Sequence, residues 1–395
     1  MSLAESPSFT TTSRPIKSVS LSSDAYVLTL ASAHSHYAAS SSAPLNAIHL
    51  YDKSDLRPVG QLAGHGEAIS AMRSVPNFPG TSRETLVSCG KDGLIKVWDE
   101  RAGTAGVQLH ALAAGRRRAL LSCDVSADGL TVAAGTDLQG DDASLLYWDP
   151  RQPAAPLRVH SYTHSDDITA VHFLRSSYPG AVSHNILLSI STDGLISTSN
   201  SDEVDEDEAG LHVGNWGCSV AQAGWVHGRT GTPGVWASSD METFSAWSGE
   251  LERVYDVDIR QPTIHRQDFQ WVTDYLIGCH NSSVIPPDRD NDLCIFAGSN
   301  EGDIALITRS TFSEASAPWT LERTWTDAHV GVVRSVLWDE SNNILITGGE
   351  DSKINVWPTP AASSNVMSQA GKRESSMNDM DVDEDVSTRK RRRAD

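Results

Sequence analysis

Short runs of alternating apolar and polar residues recur along this chain, each closed by a turn rich in Gly, Asp or Asn. AISAMRS at 68–74, LVSCG at 86–90 and LIKVW at 94–98 are typical. A period of two over four to seven residues predicts half-buried strands rather than helices. Between residues 69 and 112 the pattern predicts four strands, near 69–73, 85–89, 94–98 and 107–112. Asp92-Gly93 supplies the tight turn between the second and third, because glycine enters φ > 0 without steric cost. The acidic bends Asp193-Gly194 and Glu301-Gly302 stand at matching places.

The alternation itself repeats. VWDER (97–101), LLYWDPR (145–151) and KINVWPT (353–359) are strong copies of one motif, and AIHLYDK (47–53) and TFSAWSG (243–249) are weaker ones. ISTSNSD (196–202) and IALITRS (304–310) fill the remaining gaps. Aligning the indole position gives Tyr51, Trp98, Trp148, Ser199, Trp247, Ile307 and Trp357, at intervals of 47, 50, 51, 48, 60 and 50 residues. Seven strand-rich copies at this period predict an all-β fold, a seven-bladed propeller with four antiparallel strands per blade.

These residues carry a clear resemblance to WD40 repeats. In that family a His, a Ser or Thr, an Asp and a Trp of one repeat share a hydrogen-bonded tetrad. The resemblance implies complete tetrads at His65–Ser88–Asp92–Trp98 and His329–Thr347–Asp351–Trp357. It implies a third, His164–Ser189–Asp193, in which Ser199 replaces the indole. The order of DDA with WDPR, THSDD, DYLIGC and TGGED further resembles one branch, the WD-repeat-containing protein 89 type. That resemblance implies a repeat protein without a defined activity.

The seventh copy reaches only three strands before Pro358. Its fourth must come from elsewhere, and the Thr-rich stretch 8–14 is the expected donor, closing the ring and removing an exposed edge. The expected organisation is an N-terminal segment at 1–15 with the closing strand, a propeller at 16–358 and a disordered tail at 359–395. The tail is Ser-rich and then charged, with no apolar face to bury. It ends in the basic run Arg389, Lys390, Arg391, Arg392 and Arg393, which resembles a nuclear localisation signal.

Composition narrows the function. The formal charge is −20 and disfavours nucleic-acid partners for the main body. Five cysteines without a CxxC pair give no sign of a disulfide framework or a zinc site, and fit a reducing compartment. No long apolar run predicts a membrane span. There is no GxSxG elbow, phosphate loop or HExxH, and the His/Ser/Asp sets repeat with the blades, which marks them as architecture. We therefore expect a monomeric, non-enzymatic interaction scaffold without cofactor or metal, located in the nucleus and in part in the cytoplasm. Its partners would be proteins or peptides, basic ones above all.

Several residues are left over as candidate contacts. Arg116, Arg117 and Arg118 would lie on the top face beside the acidic loop 137–142, either paired with it or free to hold an acidic or phosphorylated peptide. Trp98-Asp99-Glu100-Arg101 and Trp148-Asp149-Pro150-Arg151 resemble the WDxR box with which substrate receptors of cullin-4-type ubiquitin ligases dock, making Arg101 and Arg151 docking candidates. DEVDEDE at 202–208 puts six acids in seven positions, either as a solvated loop or as a lure for histones or ribosomal proteins, the mark of an acidic chaperone.

Overall fold

Strand pairing follows the alternation. A computed structural model describes residues 3–359 apart from 22–23, 77, 82–83, 100–102, 114, 176–184, 230–232 and 267–268. It contains seven antiparallel sheets arranged as the blades of a propeller. Blade two illustrates the unit: Ile69–Val75, Thr85–Gly90, Leu94–Asp99 and Thr104–His110, paired in sequence order. Its fourth strand starts earlier than the alternation predicts, because a bulge between Ala105 and Val107 breaks the period of two.

The indole positions share one geometry. In blade two Trp98 lies opposite Leu86 on the neighbouring strand, and in blade seven Trp357 lies opposite Leu345. Each faces the preceding blade, as do Tyr51, Trp148, Trp247 and Ile307. Seven apolar clusters result, one for each seam between neighbouring blades. The core of this fold is thus a set of seams. Burying a large side chain there stabilises by about 1.5–3 kcal/mol.

Two N-terminal strands depart from expectation. The ring is closed by an N-terminal strand, but the donor is Lys17–Ser20, antiparallel to Lys353–Pro358, rather than 8–14. Residues 8–14 fall mostly within Leu3–Thr12, which pairs in parallel with Trp319–Trp325 as a fifth strand of blade six. The physical reason lies in the side chains. Leu3 joins the seam between blades five and six, and Phe9 meets Phe269 edge-on at 5.1 Å. Val19 instead packs into the seam between blades seven and one. The boundary expected at residue 15 therefore puts the closing strand on the wrong side. From residue 360 onward, the expected tail and its basic run Arg389–Arg393 lie outside the described residues.

All first strands run from the top face, which holds the connections between blades, to the bottom face. At their bottom ends polar contacts bridge seams between neighbouring blades. Tyr37 Oη donates to Asp339 (2.7 Å), His280 meets Glu340 (3.3 Å), and Asn281 Nδ2 donates to the Trp225 carbonyl (2.9 Å). Trp225 Nε1 donates to the His172 carbonyl (3.1 Å), and Asp124 receives Arg175 (2.7 Å) and Arg73 (3.2 Å).

Removing residues 1–20 should open the ring and abolish the cooperative thermal transition. Removing only 1–14 should leave a folded ring with a lower melting temperature, a loss of about 2–4 kcal/mol from Leu3 and Phe9. Calorimetry on the two truncations checks this. Equal melting of both would contradict the assignment of the closing strand.

Candidate interaction surfaces

The expected tetrads are brought together. In blade two Asp92 Oδ1 lies 2.9 Å from His65 Nδ1, which fixes the ring proton there. Nε2 then accepts from the Ser88 hydroxyl (2.8 Å), and Ser88 Oγ accepts from Trp98 Nε1 (2.8 Å). Asp92 also receives the Gly66 amide at 2.9 Å. Blade seven repeats the chain through His329, Asp351 (3.0 Å), Thr347 (2.8 Å) and Trp357 (3.0 Å). In blade four His164 reaches Ser189 (2.9 Å) and, at 3.3 Å, Asp193. Ser199 stands in the indole's place, and Tyr147 of blade three fills that seam.

These sets have the residue types of a hydrolase triad but cannot act as one. Ser88, Ser189 and Thr347 are fully buried, and in two sets an indole N–H occupies the hydroxyl oxygen. No substrate reaches them. Burial acts to raise the pKa of Asp92, Asp193 and Asp351. The histidine hydrogen bonds and the backbone amides outweigh it and hold all three below the usual carboxylate value.

Blades five and six lack the tetrad and tie the top face differently. Glu242 Oε2 accepts the amide of Leu276 (3.0 Å), and Asp303 Oδ1 accepts that of Asp327 (3.2 Å). In blade three Leu138 donates its amide to Asp167 (2.7 Å). Burial pushes Asp137, Glu242 and Asp303 up, and neighbouring carboxylates add to it: Asp167 for the first, Asp258 and Asp240 for the second, Asp327 and Glu301 for the third. Large apolar side chains in the turns and connections stand in solvent: Met241 is 67% exposed, Val330 73% and Tyr162 91%.

The three arginines divide. Arg118 is buried and donates to the carbonyls of Asp142 and Asp137, so it fastens the 137–142 loop and cannot take a peptide. Arg116 and Arg117 are exposed on a short hairpin with Leu112–Ala113. The acidic stretch divides as well. Glu206 is consumed: its carboxylate accepts the amides of Ser161 (2.7 Å), Tyr162 (2.8 Å) and Thr163 (2.7 Å). Asp202, Asp205, Asp207 and Glu208 remain exposed. Arg158 ties the stretch down by donating to the carbonyls of Glu203 and Ser201 while lying over the Tyr147 ring.

Of the two WDxR boxes, Arg151 is exposed, and one edge of its guanidinium, Nε and Nη2, is held by its own Asp149 (2.8 and 2.6 Å). Arg101 lies outside the described residues. An open cleft of about 500 Å³ borders the first box, lined by Phe78, Pro79, Trp98 and Val107 among others. Cys89 is buried, and burial raises its thiol pKa well above the ordinary value, which keeps it protonated and unreactive.

The sequence gives no sign of Asp124. This fully buried carboxylate sits between Arg73 and Arg175, which come from blades two and four. Burial acts to raise its pKa and the two guanidinium groups overcome that. His172 beside them is depressed to about 3, by burial first and Arg73 second, so it is neutral and accepts from Arg73 at 3.2 Å. Only the convergence of three first strands unites these residues.

Asp92→Ala and Asp351→Ala should each cost about 2–3 kcal/mol in urea unfolding, as loss of charge-assisted buried hydrogen bonds. Asp193→Ala should cost less, since its contact is longer and no indole completes the chain. The pH dependence has a definite sign. His172 and the depressed carboxylates bind fewer protons folded than unfolded, so stability falls as pH falls. The loss should begin near the ordinary histidine value of about 6.5 and steepen below about 4. His172→Gln should flatten the upper part of that slope, read from melting temperatures between pH 7 and 5.

Comparison with known proteins agrees with this architecture. The WD domain, G-beta repeat model matches residues 56–99 and 319–358. Each match covers the outer strand of one blade and three strands of the next, and the two contain the two complete tetrads. Over 81% of its length the chain is 27% identical to the WD repeat-containing protein 89 homolog of Dictyostelium discoideum, of which 79% is covered. It is 26% identical over 79% of its length to the WD repeat-containing protein GTS1 of Arabidopsis thaliana, 76% of which is covered. A 24% identical match covers 71% of this chain but 9% of telomerase protein component 1 of Mus musculus. With its seams, its tetrads and these two matched repeats, the chain is a seven-bladed β-propeller that carries WD40 repeats at residues 56–99 and 319–358.

Proposed function

We propose that the protein is a non-catalytic scaffold that binds basic protein segments on the top face of its propeller. The observation that carries this is the mixture found there. Exposed apolar side chains such as Met241 and Val330 share this face with Glu242 and Asp303, whose pKa values are raised by burial first and by neighbouring carboxylates second. A lysine or arginine beside Asp240 and Glu242, or beside Glu301 and Asp303, would relieve the repulsion at that turn, and the apolar side chains would supply burial. The relatives that cover most of this chain are named as WD-repeat proteins, which supports an interaction role in general terms.

Two features favour a nuclear setting for the scaffold: the basic run Arg389–Arg393 and the acidic body it is attached to. A ligase-receptor role is supported only by the exposed Arg151 and would be tested by reversing its charge. The acidic-chaperone role has lost part of its motive, because Glu206 serves the fold.

Reversing charge with Asp240→Lys and Glu301→Lys, both exposed, should remove salt-sensitive basic partners from an affinity purification and leave melting unchanged. Undiminished recovery would refute the top-face site. A reporter fused to residues 365–395 should accumulate in nuclei, and retention in the cytoplasm would refute the import signal.

A further inference from the structure

Every blade of an open-edged propeller ends in an outer strand whose amides and carbonyls can pair with another chain. Six of the seven outer strands here are blunted or covered. Blade six carries its own fifth strand, Leu3–Thr12. Blade one begins its outer strand, Pro58–Leu62, with a residue that has no amide proton. Blade two is bulged, and its His110 amide is taken by the Pro153 carbonyl at 3.2 Å. The outer strand of blade three, Arg158–His160, has three residues, and that of blade seven has four and starts with Lys17. Blade five carries Arg253, Asp256 and Asp258 along Arg253–Asp258.

Among the described residues blade four is the exception. Its outer strand, Gly210–Asn215, has no proline and no charged residue, and its sheet ends there. Leu211 is 44% exposed and Val213 61%. The bulge against Thr198–Ser199 is confined to its start, and the pairing is regular from His212 to Asn215. Immediately before it stand the exposed Asp205, Asp207 and Glu208. These acids repel the same edge of a second copy, which guards against self-pairing. They attract lysine and arginine.

We infer that the outer edge of blade four accepts an extended basic segment of a partner protein as a fifth strand. Blade six shows that a strand added to an outer edge fits this propeller. Main-chain hydrogen bonds would supply affinity, Leu211 and Val213 would cover alternate apolar side chains, and the acidic stretch would select the basic ones. The inference rests on the scaffold reading but uses a different surface from the top face.

The test uses the full chain and a labelled peptide alternating valine and lysine, followed by fluorescence anisotropy at low salt. Binding to the wild type is expected, with slowed amide hydrogen exchange in residues 210–215. Val213→Lys, or a central proline in the peptide, should weaken binding about tenfold or more. Val59→Lys on blade one should change nothing. Absence of binding, equal binding by Val213→Lys, equal binding of the proline peptide, or protection elsewhere on the ring would each overturn the inference. A dimer seen by sedimentation with 210–215 protected without peptide would assign the edge to a second copy and overturn it too. The Asp240→Lys, Glu301→Lys protein separates the two proposals. It should still bind the peptide, so loss of natural partners with intact peptide binding touches only the top face.

Discussion

Closure of the ring is the constraint on which the rest depends. No blade here has a core of its own. Each buries its apolar faces only against its neighbours, and the apolar clusters lie in the seams. A ring left open would expose two such faces at once. The four residues Lys17–Ser20 complete blade seven beside blade one and join the last blade of the ring to the first. They make the order of the blades a closed cycle, so every seam is held from both sides.

Polar ties finish what the seams begin, and they are of two kinds. On the top face three blades use a histidine between a hydroxyl and a carboxylate, and others place a carboxylate directly on a backbone amide. Both satisfy buried or half-buried donors in the connections between blades, which would otherwise cost the desolvation of each group. On the bottom face the ends of the first strands carry a belt of contacts, in which Asp124 is shared by blades two and four. A carboxylate so deeply buried is tolerable only because two guanidinium groups and two backbone amides, those of Phe173 and Val125, surround it.

The charged residues therefore sort by whether the fold has used them. Arg118 and Glu206 belong to loops they fasten, and a surface count of charge would overestimate what they offer a partner. Asp240, Glu301, Asp207 and Glu208 are exposed, and so is Asp205, although its carboxylate also caps the short helix by accepting the Asp207 amide at 3.0 Å. Exposed apolar side chains occur beside both groups. That coincidence, more than the net charge, points to basic partners that also bring apolar side chains.

The spacing of indole positions and the strand alternation were enough to determine seven blades and their strand order, and the resemblance to WD40 repeats supplied the members of each tetrad. All of these depend on contacts within one repeat or the next, and such contacts leave a periodic trace. The closing strand was misplaced, because Ser and Thr runs at 8–14 and Lys17–Ser20 both suit an edge. What separates them is which seam receives Leu3, Phe9 and Val19. Asp124 with Arg73 and Arg175 and the capture of three amides by Glu206 left no trace in the sequence. They join residues from different blades without a fixed interval, and only the packing of the ring decides which side chains meet.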